Sequence, residues 1–110
     1  MTTYSNPRMN QLSNYATAIA ARNGNTCITY HSTVIVEFDA DCIILRTGGW
    51  KTVTTKRKMN QAANQFGLGY RVFQQDGNWF VRRPDGGDMP FDRAELMIDR
   101  RTGAAWQAEA

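Results

Sequence analysis

Between Thr26 and Arg46 three short runs of apolar and β-branched residues follow one another with very little between them. Thr26 to Tyr30 is the first, Thr33 to Phe38 the second and Cys42 to Arg46 the third. Thr33 to Phe38 alternates, with Val34, Val36 and Phe38 on one face and Ile35 near the other, which is the period of a half-buried strand. Asp39-Ala40-Asp41 is a turn, because aspartate tolerates the tight conformations that hairpins need. Strands joined this closely pair antiparallel with their neighbours, so this segment is a hairpin or a meander.

Helical patterns flank that segment. Upstream, Met9, Leu12, Ala16, Ile19 and Ala20 recur at helical spacing, and Pro7 suits a first turn capped by Ser5 or Asn6. Asn23-Gly24 then ends an N-terminal helix over about 7–22, whose apolar face is thin and Ala-rich. Downstream, Thr54 or Thr55 caps a helix to about Phe66, with Met59, Ala62, Ala63 and Phe66 as its apolar stripe and Gly67 or Gly69 as its stop. Tyr70 to Gln74 and Trp79 to Arg83 form a hairpin across Gln75-Asp76-Gly77-Asn78, with Trp79 and Phe80 on opposite faces. Pro84 to Asp88 is a loop. Leu96 to Ile98 reads as a last strand, and a helix from Asp92 to Arg100 is the rival. The whole is an α+β fold: an N-terminal helix, a small mainly antiparallel sheet of about five or six short strands, and a second helix (about 54–66) inserted between strands. Residues 1–6 are a flexible N-terminus, 7–104 a single α+β domain and 105–110 a C-terminal tail.

A chain of 110 residues can bury one small core. Its apolar runs are only a few residues long, too short to cross a membrane as a helix, and the N-terminus lacks the basic-then-apolar pattern of a signal peptide. A cytoplasmic protein is therefore expected. Cys27 and Cys42 read as small buried hydrophobes and lack the spacing of a zinc site. His31 is the sole histidine; it could act as a general base, but a structural or hydrogen-bonding role is favoured. Asp39 and Asp41, like Asp85 and Asp88, read as turn formers. Gly48-Gly49 has neither the P-loop nor the dinucleotide-binding spacing. No enzyme, no metal and no cofactor are expected.

The net charge of +3 is unevenly spread. From Cys42 to Gln75 there is no acidic residue, while Arg46, Lys51, Lys56, Arg57, Lys58 and Arg71 fall there. Most of them lie in or beside Thr47 to Lys58, which runs from strand end through Gly48-Gly49 to helix start. Helix starts attract anions through free N–H groups and the dipole, and three bases there oppose the dipole unless an anion offsets them. Lys51, Thr54, Thr55, Lys56, Arg57, Lys58 and Arg71 are thus candidate anion or nucleic-acid contacts, with Trp50 as a stacking platform. The competing partner is a host protein, docked through the N-terminal helix and the aromatic hairpin, or a second copy of the chain. No membrane contact is expected.

His31-Ser32-Thr33-Val34-Ile35-Val36, followed by Ile44-x-x-Thr47-Gly48-Gly49-Trp50-x-Thr52-x-Thr54-Thr55-Lys56-x-Lys58-Met59-Asn60, resembles a family of small proteins encoded by tailed phages and related mobile elements. Tyr70 to Phe73, Asn78 to Val81, and Leu96 to Asp99 with Thr102-Gly103 are similar to the remainder of the family pattern, so that the resemblance covers about residues 23–103. It implies a phage-type accessory protein and brings no mechanism with it. The Asn60 to Gly69 segment is longer than the usual link in that family.

Overall fold

The computed structural model describes residues 17–49 and 51–107. Within them the chain forms nine strands and one helix: β1 (Thr17–Arg22), β2 (Asn25–Tyr30), β3 (Thr33–Phe38), β4 (Cys42–Arg46), α1 (Val53–Phe66), β5 (Arg71–Gln75), β6 (Asn78–Arg82), β7 (Asp88–Pro90), β8 (Glu95–Asp99) and β9 (Ala105–Gln107). One antiparallel sheet has the order β1-β2-β3-β4-β8-β9, and a second has the order β5-β6-β7. The architecture is mostly β, which corrects the expected α+β fold with two helices.

The correction begins at the N-terminal side. Thr17 to Arg22, expected as the end of a helix, pairs in register with β2 from Thr17↔Tyr30 to Arg22↔Asn25. The two-residue connection Asn23-Gly24 has φ 54° and 83°, the paired left-handed geometry of a type I′ hairpin turn, which asparagine followed by glycine adopts most readily. The dipeptide that ends a helix is also the one that closes a hairpin, and the adjacent β2 decides the outcome. The remainder of the expected helix (7–16) and the 1–6 segment lie outside the described residues.

The meander over β2, β3 and β4 forms where the alternation placed it, with one irregularity. Ile28 pairs with Val36 and Thr29 with Val34, leaving Ile35 as an extra residue on β3. Such a bulge interrupts the alternation of faces, and both Ile35 and Val36 are buried. Asp39 Oδ1 accepts the backbone N–H groups of Asp41 (2.8 Å) and Cys42 (2.9 Å), closing the next turn as expected.

β4 then pairs with β8, from Cys42↔Asp99 to Arg46↔Glu95. This removes the rival helix over 92–100. Everything from α1 to β7 is therefore an insertion between two neighbouring strands. Thr52, not Thr54 or Thr55, is the N-cap of α1: its side chain accepts the Thr55 backbone N–H at 3.1 Å. A cap must stand three residues before the amide it satisfies, and Thr54 and Thr55 are already helical. Gly67 ends the helix at φ 65°. Beyond Ala104, β9 continues the large sheet through Ala105↔Ile98 and Met97↔Trp106 instead of fraying; residues 108–110 lie outside the described residues.

The core lies between these parts. Ile28, Val36, Ile43, Leu45, Leu96 and Ile98 come from the large sheet; Met59, Ala62 and Ala63 from α1; Val72, Trp79, Val81 and Phe91 from the small sheet and its exit. Trp79 is buried and Phe80 half-buried, as the alternation along β6 predicts. Asn60 ties α1 to β5, donating to Val72 O (2.8 Å) while its Oδ1 accepts Val72 N–H (2.7 Å). Arg46 donates to Glu37 (2.8 Å) and Glu95 (2.6 Å), bridging β3, β4 and β8.

Two predictions follow from this packing. Gly24 and Gly48 both have positive φ, but a Cβ at Gly24 meets nothing within 4 Å whereas one at Gly48 falls 2.7 Å from Thr33 Oγ1. Gly24→Ala should cost about 1 kcal/mol in urea unfolding and Gly48→Ala clearly more; equal costs would refute the close approach. The second concerns acid. The Asn25 amide first, and then the Arg46 guanidinium, hold the Glu37 carboxyl below its ordinary value of 4.5. A lowered carboxyl contributes stability above its unfolded value and loses it as pH falls through the folded one. The melting temperature should therefore drop below about pH 4.5, and less steeply in Glu37→Gln.

Candidate functional site

The segment from Thr47 to Thr52 leaves the large sheet and enters α1, and its geometry shapes one side of a cleft. Thr47 N–H donates to Ala94 O (3.0 Å), and Thr47 Oγ1 accepts Gly49 N–H (3.2 Å). Gly48 and Gly49, at φ 63° and 84°, turn the chain at the surface. The other side is the β2–β3 turn, where His31 has φ 56°. Trp50, the expected stacking platform, lies outside the described residues.

Between these two turns is a cleft of about 370 Å³, lined by Tyr30, His31, Ser32, Thr33, Ile35, Thr47, Thr52 and Thr55. Thr47 and Thr55 are 2% and 3% exposed. Thr52 Oγ1 donates to Thr55 Oγ1 at 3.1 Å. The Tyr30 and His31 rings stand 4.4 Å apart. Lys58, itself almost fully buried, lays its Nζ 5.3 Å from the centre of the Tyr30 ring. Burial, and secondarily the charge of Arg57, hold the Lys58 ammonium below its ordinary value of 10.5.

A second depression, about 270 Å³, lies on the opposite stripe of α1. Val53, Lys56, Arg57, Asn60, Gln61, Asn64 and Arg71 line it. The helical members recur at i, i+3, i+4, i+7, i+8 and i+11, one face of a 3.6-residue period. Lys56 Nζ donates to Gln74 Oε1 at 3.1 Å. Among the described residues no carboxylate lines this groove.

The eight expected contact residues thus do not share one spot. Lys56, Arg57 and Arg71 converge on the groove; Thr55 lines the cleft and Lys58 packs behind it. Lys51 lines a third depression, beside Gln74, Trp79 and Asp92. Thr54 is half-buried in the first turn and lines none of the three. Spacing of 3.6 residues explains the division, since positions 54, 55, 56, 57 and 58 point around the whole helix. The reading from sequence missed Tyr30, Ser32, Thr33 and Thr47 as neighbours of Thr55. They come from separate turns, and only a run of hydroxyls at the strand ends hinted at them.

Among the described residues no group of three or more His, Cys, Asp or Glu side chains is placed to hold a metal ion, and no helix is long and apolar enough to cross a membrane. The family model described as Kyanoviridae Gp96 protein matches residues 3–102. No curated protein and no solved structure matches the chain.

The burial of Lys58 separates it from Lys56 in a way that unfolding can read. Lys58→Glu should lower stability by about 2–4 kcal/mol, because it buries a carboxylate where a cation packed on an aromatic ring. Lys56→Glu, at a half-buried position whose ammonium reaches the exposed Gln74, should change it by less than about 1 kcal/mol. Equal small effects in thermal or urea unfolding would contradict the placement of Lys58.

Proposed function

This chain belongs to the Kyanoviridae Gp96 protein family, a family of phage proteins, and on that premise we propose that it is a small non-enzymatic accessory protein that grips a nucleic-acid strand by its phosphates. The observation that carries this reading is the groove between α1 and β5. Lys56, Arg57 and Arg71 reach it from two elements, and among the described residues no carboxylate lines it. The amides of Asn60, Gln61 and Asn64 supply neutral polar walls. The chain from Ile43 to Gln75, which supplies all of these residues, contains no acidic residue.

Contacts of this kind bind phosphate without reading bases, so affinity comes without sequence choice. Three phosphate contacts release about two to three counterions, and log affinity falls with log salt at roughly that slope. The site of action on this reading is the host cell cytoplasm.

The aromatic hairpin favours a second reading, a modulator that docks on a host protein. Phe73 and Phe80, both half-buried, stack at 5.6 Å with an angle of 18°, and the Arg82 guanidinium lies 5.4 Å from the centre of the Phe73 ring. Partly open aromatics beside an arginine suit a protein interface.

Fluorescence anisotropy with labelled single- and double-stranded oligonucleotides over a salt series tests the first reading. Binding should weaken steeply with salt, and the pair Lys56→Glu with Arg71→Glu should abolish it while leaving the melting curve in place. Absence of binding even at low salt would end the nucleic-acid reading. Loss of a host partner on Phe73→Ala with nucleic-acid binding absent would favour the second. Sedimentation distinguishes self-association from either.

A further inference from the structure

The small sheet has one face in the core and one in solvent. Val72, Trp79 and Val81 are buried, so the residues that alternate with them on β5 and β6 point outward. Strand pairing sets those outward residues in three rows that cross the sheet. Gln75 stands opposite Asn78, Phe73 opposite Phe80, and Arg71 opposite Arg82. β7 extends two of the rows, with Pro90 opposite Phe80 and Asp88 opposite Arg82. The face is thus banded: amides, then an apolar and aromatic row, then a charged row. Adjacent rows lie about 7 Å apart, twice the rise per residue of a strand. Phe73 and Phe80 are half-buried, and the remaining members of the rows are exposed. The two rings stack at 5.6 Å with an angle of 18°. The row is therefore preorganised, and a flat group that meets it costs little side-chain ordering.

Arg71 belongs to two surfaces. It stands in the charged row and also lines the groove with Lys56 and Arg57. Row and groove meet at the β5 edge as one cationic track. Within that track Arg82 is neutralised by Asp88, to which it donates at 2.8 Å and 3.1 Å. Arg57 and Arg71 enter none of the ion pairs among the described residues. Their charge is left for a partner, and cations beside an aromatic row complement an anion that carries flat apolar groups. A nucleic-acid strand has that chemistry, with phosphates along one side and bases along the other. Only an unpaired strand can bring its bases to the row, because in a duplex they are stacked and paired inside. Given the nucleic-acid reading above, we infer that the ligand of the groove is a single strand, its phosphates on Lys56, Arg57 and Arg71 and its bases on the Phe73–Phe80–Pro90 row.

Three labelled probes test this by fluorescence anisotropy at low salt: oligothymidylate, an abasic strand of the same length and a duplex of the same length. Oligothymidylate should bind about tenfold more tightly than the abasic strand, which keeps the phosphates and lacks the bases. That comparison uses the unaltered protein, so it does not depend on how a variant folds. Phe73→Leu and Phe80→Leu keep an apolar side chain and remove the ring. Each should weaken oligothymidylate about tenfold and leave the abasic strand and the duplex unchanged. Arg71→Ala should weaken all three probes. Equal affinity for oligothymidylate and the abasic strand would overturn the single-strand assignment and leave phosphate binding in the groove standing. So would leucine variants that change none of the probes, the pattern expected if a protein occupies this face instead. Binding of none of the probes would remove the nucleic-acid reading itself, and the single strand with it.

Discussion

The ladder between β4 and β8 is the contact on which the rest of the molecule depends. It joins Cys42–Arg46 to Glu95–Asp99 in unbroken register, closing a loop that contains α1 and the whole small sheet. Loop-closure entropy grows only slowly with length, so one well-packed ladder can hold a long insertion. Leu45 faces Leu96 and Ile43 faces Ile98 across it, and all four are fully buried. The inward side of that ladder is the floor on which α1 and the β5–β6 hairpin rest. The outward side carries the Glu37–Arg46–Glu95 bridge, partly screened and of modest worth by itself, which marks the solvent face.

α1 divides the chemistry of the protein. Its 3.6-residue period sends Met59, Ala62 and Ala63 to the core, Thr55 and Lys58 toward the β2–β3 turn, and Lys56, Arg57 and Asn64 to the groove beside β5. A dense basic run in sequence thereby becomes two separate surfaces, one rich in hydroxyls and concave, the other cationic. The Asn60 side chain fixes the rotation of the helix against β5 through its paired bonds to Val72. The cap at Thr52 fixes where the helix begins, and the close approach of Gly48 to Thr33 fixes how it leaves the sheet.

The two glycine-containing hairpin turns show how much a short motif can mean. Asp76-Gly77 lies between aromatic runs and was readable as a hairpin, and its φ values of 53° and 80° match those of Asn23-Gly24. Asn23-Gly24 closes a hairpin where a helix end is expected, because Ala18, Ala20 and Ala21 suit a helix as well as a strand and the spacing from Met9 to Ala20 suggests one. Similarly, alternation puts Ile35 near the face opposite Val36, yet both are buried, since a bulge depends on a register that exists only once β2 and β3 pair. Ala105–Gln107 lacked any pattern of its own and became a strand because β8 offered it an edge.

The amino-acid sequence alone determined what local physics controls: the meander of β2 to β4, the extent of α1 and its apolar stripe, the β5–β6 hairpin, the turn-forming aspartates and the acid-free basic stretch. Those features depend on period, turn chemistry and charge within a few residues. Only the tertiary structure decided the strand nature of Thr17–Arg22, the pairing of β4 with β8, the burial of Lys58 and the meeting of Thr33, Thr47 and Thr55 in one cleft. Each of these depends on contacts between segments far apart in the chain, and the energy of such contacts is set by the partner surface, which no local pattern contains.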